Sequence, residues 1–148
     1  MTDKINTFFT EKNALAERYF EERHELQKRK DAIDWRNREA RQAISEQLYQ
    51  MTCPLNSGEL EAVRAWNPEA DTFIATDHLW TKDIHDFVAC LREAGVKTFL
   101  FTDTSTALME SIHEFAKEGV RLEGPETFTT NDGWNNEERI HLALRFTL

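Results

Sequence analysis

The hexapeptide Thr72-Phe73-Ile74-Ala75-Thr76-Asp77 recurs 26 positions later as Thr98-Phe99-Leu100-Phe101-Thr102-Asp103, and each copy runs into an amphipathic segment that closes on Gly-Val. A short aromatic and β-branched run reads as a strand, whereas apolar residues three or four apart read as a helix with one buried stripe. In the first copy Trp80, Ile84, Phe87, Val88 and Leu91 form that stripe, with Gly95 at the C′ position. In the second, Leu108, Ile112, Phe115 and Ala116 repeat the spacing before Gly119. This order, with short connections, predicts parallel neighbouring strands joined by a right-handed crossover.

The period then changes. Ile140, Leu142, Leu144, Phe146 and Leu148 alternate with His141, Ala143, Arg145 and Thr147, the pattern of a strand with one buried face. Its antiparallel partner is expected around 120–130, joined through the turn-rich Asn131-Asp132-Gly133-Trp134-Asn135-Asn136. Both helices are expected on one face of a four-stranded mixed sheet.

From Asp3 to Met51 there is neither Pro nor Gly, and good helix formers dominate, so nothing local stops a helix before Pro54. Apolar stripes mark its two ends, but residues 21–41 hold 13 charged side chains. A heptad seam through Ile5, Tyr19, Leu26, Ile33 and Ala40 has Arg23, Lys30 and Asn37 at its companion positions, which argues against a continuous zipper. Two alternatives stay open: one long helix, or a hairpin turning near Lys30 with Asp31 and Asp34 capping its second helix. The fold class is therefore α+β: a long N-terminal helix or helical hairpin, then a small mixed sheet of βαβα-ββ order with two helices packed on it. The corresponding boundaries are 1–51 for the charged helical segment, 52–71 for a linker with a short helix, and 72–148 for the α/β domain.

Charge separates the two parts. Residues 1–51 carry ten basic and ten acidic side chains, so residues 52–148, with 8 basic and 17 acidic groups, hold the whole net charge of −9. Such a field repels phosphate backbones and steers towards a basic partner if the charges cluster. No stretch approaches the roughly 18 apolar residues of a membrane span, and the N-terminus lacks the order of a signal peptide, so a cytoplasmic protein is expected. Cys53 and Cys90 form no CxxC and read as buried thiols. The five histidines make no ligand pair, and neither a glycine-rich phosphate loop nor a GxSxG is present, so the sequence nominates no catalytic residue, metal site or cofactor.

Ligands of α/β sheets sit beyond the carboxyl ends of parallel strands, where Asp77, Asp103 and Ser105 fall. Asp77 and Asp103 side by side would form a small-ligand or metal site, yet both also stand where helix caps are needed. Phe99-Leu100-Phe101-Thr102-Asp103 faintly resembles the first motif of haloacid-dehalogenase-type phosphotransferases, but Ser105 replaces its second acid and Ala107 its closing Thr, and the match is rejected. Trp35, a large aromatic in a polar stretch, is a candidate partner anchor, as are Trp134, Glu137 and Glu138 in the turn-rich loop.

Thr102-Asp103-Thr104-Ser105-Thr106-Ala107-Leu108-Met109-Glu110, Glu118-Gly119-Val120-Arg121-Leu122-Glu123-Gly124 and the closing Leu144-Arg145-Phe146 resemble a family of small uncharacterised proteins encoded by gut Firmicutes and their mobile elements. The resemblance covers about residues 77–148; the family usually has Cys where this chain has Val120. It implies a shared fold and a mobile-element origin, and transfers no functional residue. The expected function is that of a non-enzymatic interaction or inhibitor protein whose acidic domain docks on a basic, nucleic-acid-binding target such as a CRISPR or other host-defence nuclease. Alternatives are a ligand module using Asp77 and Asp103, and a structural protein that dimerises through residues 1–51.

Overall fold

The computed structural model describes residues 2–69 and 72–148. Its elements are helices α1 (Asp3–Asp31), α2 (Arg38–Gln50) and α3 (Ser57–Ala65), strand β1 (Phe73–Ala75), helix α4 (Ile84–Ala94), strand β2 (Thr98–Phe101), helix α5 (Leu108–Lys117), and strands β3 (Arg121–Thr130) and β4 (Arg139–Thr147). They fall into two compact units: one from Thr10 to Leu55, the other joining the residues up to Phe9 with Asn56–Leu148.

In the Thr10–Leu55 unit the chain turns at 32–37 and returns as α2, so the hairpin rather than the single long helix is what forms. The capping residue is neither Asp31 nor Asp34 but Asn37, whose Oδ1 accepts from the Ala40 amide at 3.2 Å. Asp34 instead shapes the turn by accepting from the Arg36 amide at 2.9 Å. The last carbonyls of a helix lack intrahelical partners. Arg41 Nη1 donates to the carbonyl of Lys30 in the last turn of α1 (2.9 Å) and to that of Ile33 in the connection beyond it (3.1 Å), and Arg23 donates to the Leu48 carbonyl in the last turn of α2 at 3.2 Å.

The other unit is built on a four-stranded mixed sheet of order β1-β2-β4-β3. Strands β1 and β2 are parallel with Phe73 opposite Phe99 and Ala75 opposite Phe101, so the 26-residue sequence repeat is also the pairing register. Odd-numbered side chains of both strands face the helices. Phe99 sits at the centre, its ring 5.5 Å from Phe87 of α4, 5.3 Å from Phe115 of α5 and 5.4 Å from Phe146 of β4. Phe9 reaches the same layer, 4.9 Å from Phe73, and the Trp66 indole donates to Asn6 Oδ1 at 3.2 Å.

The short helix expected in a 52–71 linker is a core element: Ala62 and Ala65 of α3 are buried, and an Asn56–Glu59 capping box starts it. Gly58 lets α3 approach α4 so closely that a Cβ there would meet Asp86 Cβ at 2.5 Å, the Phe87 nitrogen at 2.6 Å and the Asp83 carbonyl oxygen at 2.7 Å.

Three expectations about buried faces need correction. Trp80 is 65% exposed, because α4 begins only at Ile84 after a 3-10 turn over Thr81–Asp83, and Leu79 takes the interior place instead. On α5 the buried partner of Phe115 is Ser111, and Ala116 is exposed. On β4 Phe146 is buried as expected, but Ile140 and Leu142 are exposed. Strand β2 pairs with β4 only between Thr98↔Thr147 and Phe101↔Leu144, so the remainder of β3 and β4 extends past it as a two-stranded ribbon. Strand β3, an edge of the sheet, contains Pro125 and a bulge between Leu122 and Gly124.

Candidate functional site

The equal register of β1 and β2 releases Thr76-Asp77 and Thr102-Asp103 at one level, and the Thr102 amide still donates to the Ala75 carbonyl at 2.9 Å. Beyond that last rung the two loops open a cleft of about 230 Å³ lined by Asp77, Trp80, Thr81, Asp103, Ser105 and Glu110, with the buried Ser111 behind them. The structure thus brings Asp77, Asp103 and Ser105 together. Glu110 and Trp80 join them without a sequence signal that points here: the spacing of Trp80 fits a buried helical stripe, and Glu110 lies in the first turn of α5, at this end of the sheet.

Neither aspartate caps a helix. Helix α4 starts after Asp83 and α5 after Ala107, neither with a side-chain cap, several residues downstream of Asp77 and Asp103. Asp103 Oδ1 accepts from the Ser105 amide at 2.6 Å, and Ser105 Oγ from the Ala107 amide at 3.2 Å, two successive side-chain turns that lead the chain into α5. Where the phosphotransferase motif would have a second acid, Ser105 therefore shapes a turn. Among the described residues Asp77, Asp103 and Glu110 form no ion pair, and no three His, Cys, Asp or Glu side chains stand close enough to share a metal ion. Lys82 lies with its Nζ 5.5 Å from the Trp80 ring centre.

The partner-anchor candidates divide between the units. Trp35, 69% exposed, stands in the turn of the helical hairpin with the Arg36 guanidinium 5.3 Å from its ring. Trp134, Glu137 and Glu138 are exposed together on the β3–β4 connection, where the Gly133 amide donates to the Glu137 carbonyl at 3.1 Å. Cys90 is buried in the core, whereas Cys53 is only half-buried.

A separate ion pair links α4 to the C-terminal end of α5: His85 Nδ1 stands 2.9 Å from Glu118 Oε2. The hydrogen bond to Glu118, reinforced by its charge, raises His85 above the ordinary imidazole value. A proton held more tightly in the folded chain stabilises it fully below the unfolded imidazole's pKa of about 6.5, and that contribution disappears as pH rises through the folded value. The expected NMR titration of His85 has its midpoint above 6.5, and Glu118→Gln returns it to the ordinary range. A wild-type midpoint at or below 6.5 would rule the pair out in solution.

Taken together, the mixed sheet with helices on one face and an acidic cleft past its parallel strands defines a small α+β protein built around a repeated strand-helix unit. Residues 63–148 match the family described as Domain of unknown function (DUF7698). That match spans more than half of the chain, and the chain belongs to this family. No curated protein and no solved structure matches it. Among the described residues no helix is long and apolar enough to cross a membrane.

Proposed function

We propose that the chain is a non-catalytic interaction protein whose acidic α/β unit docks on a basic protein, the cleft past β1 and β2 receiving a lysine or arginine side chain. The observation that carries this reading is the convergence of Asp77, Asp103 and Glu110 on one cleft beside the exposed ring of Trp80. Carboxylates accept charge-assisted hydrogen bonds from guanidinium and ammonium groups, and an indole face attracts the same cations. Lys82 already approaches Trp80 in that manner. The cleft volume is below the roughly 300–1,000 Å³ of a typical small-molecule pocket and suits the head of one long side chain.

The excess of 17 acidic over 8 basic groups in residues 52–148 would attract such a partner and repel nucleic acid itself. A basic nucleic-acid-binding protein, such as a CRISPR or other host-defence nuclease in the cytoplasm, is a target of this kind. The resemblance to small mobile-element proteins supports that choice. Titration of the full chain with a poly-arginine peptide should quench or shift Trp fluorescence and weaken with added salt. Asp77→Asn together with Asp103→Asn should lower the affinity at least tenfold, since asparagine keeps the Ser105 turn but removes the charge. Equal affinity for poly-arginine in that double variant would overturn the reading.

A further inference from the structure

We infer that two copies of the chain associate through their Thr10–Leu55 hairpins, antiparallel, with Trp35 of each copy seated in the groove between α1 and α2 of the other. The groove has a volume of about 700 Å³ and is walled by Glu21, Glu22, Glu25, Arg29, Gln47 and Gln50, with Leu26 and Met51 as its apolar lining. An indole with an apolar body and one N–H donor suits such a surface, and tryptophan is the residue type most enriched among the anchors of interfaces. In the single chain Trp35 is 69% exposed.

Charge selects a second copy as the occupant. Residues 27–41, the turn end of the hairpin, hold six basic and three acidic side chains, whereas residues 10–26 hold three basic and five acidic ones. Each hairpin therefore has a net basic turn that carries Trp35 and a groove whose three glutamates outweigh Arg29. A two-fold axis between these regions sets each basic turn against the other copy's acidic groove, so both contacts form in one closed, isologous dimer. The reach is short: Glu25 and Asp31 are six residues apart on α1, about 9 Å at 1.5 Å per residue. Trp35 lies between Asp34 and Arg36, with Arg38 two residues further on, and Glu21, Glu22 and Glu25 outnumber Arg29 in the groove, so the net charges around the anchor and its seat are opposite. This inference uses a different surface from the cation cleft and stands independently of it.

Sedimentation equilibrium of the full chain at low salt should give a mass tending to twice 17.3 kDa as concentration rises, with dissociation favoured by added salt. Trp35→Ala, and separately Glu22→Lys with Glu25→Lys, should each weaken dimerisation at least tenfold at unchanged helix content by circular dichroism. A chain carrying Glu22→Lys and Glu25→Lys has a basic turn and a basic groove, and one carrying Arg36→Glu and Arg38→Glu has an acidic turn and an acidic groove. Neither should dimerise alone, and their equimolar mixture should. A wild-type mass that stays at one chain at 200 µM, a Trp35→Ala dimer of unchanged affinity, or a charge-swapped pair that fails to associate would each overturn the inference. Capture of a different protein by the groove in a chain that stays monomeric would overturn it as well.

Discussion

Gly58→Ala should destabilise the chain by about 3 kcal/mol, although alanine is the better helix former by up to about 1 kcal/mol. The two effects have opposite signs, and the local contacts decide between them. A methyl group on Gly58 would meet two backbone atoms of the α3–α4 junction, the Phe87 nitrogen at 2.6 Å and the Asp83 carbonyl oxygen at 2.7 Å, as well as Asp86 Cβ at 2.5 Å. No side-chain rotation relieves contact with backbone, so α3 must move off α4, and Ala62 and Ala65 lose their burial with it. Against a typical total of about 5–15 kcal/mol, that is a large fraction of the stability. Urea denaturation of the variant measures it. A neutral or stabilised Gly58→Ala would mean that α3 does not lie against α4 at this point.

Phe99→Ala should cost about 3–5 kcal/mol, the range for removing a fully buried ring. Phe99 is 0% exposed and its ring has neighbours from three elements, Phe87, Phe115 and Phe146, so the cavity is enclosed by other rings rather than by side chains free to swing in. Ile74, half-buried on the opposite face of the sheet, supplies the comparison: Ile74→Val should cost no more than about 1.5 kcal/mol. Thermal or urea unfolding of the two variants checks the contrast, and a Phe99→Ala loss as small as that of Ile74→Val would place the centre of the core elsewhere.

The repeat made most of this unit readable. Two similar strand-helix patterns constrain each other, and the spacing that defines the repeat is the spacing at which Phe73 meets Phe99. The pairing of Asp77 with Asp103 followed from it. What the pattern could not carry was phase at the ends of elements: Trp80 matches the helical stripe in sequence, but the helix starts four residues later, so the ring points outward beside the cleft. The alternation of β4 likewise gives the face of Ile140 and Leu142 but not how far β2 and the helices extend to cover it. In the hairpin, three residues near the turn had the chemistry of a cap, and the choice of Asn37 over Asp31 and Asp34 depends on where α1 stops, which Arg41 helps to fix from a distance in sequence.

The two edges of the sheet differ in length but share a property. Strand β1 offers only three residues, and β3 is interrupted by a bulge near Glu123 and by Pro125, which withholds an amide. Neither β1 nor β3 is a long, flat ladder onto which another chain could add a strand, and such interruptions are how natural sheets avoid sticking edge to edge. The remaining open stretch is the β2 side of β4 over residues 139–143, beyond its last rung with β2. If strand addition takes place anywhere on this sheet, it is therefore along that short stretch of β4, where Ile140 and Leu142 are exposed, rather than along β1 or β3.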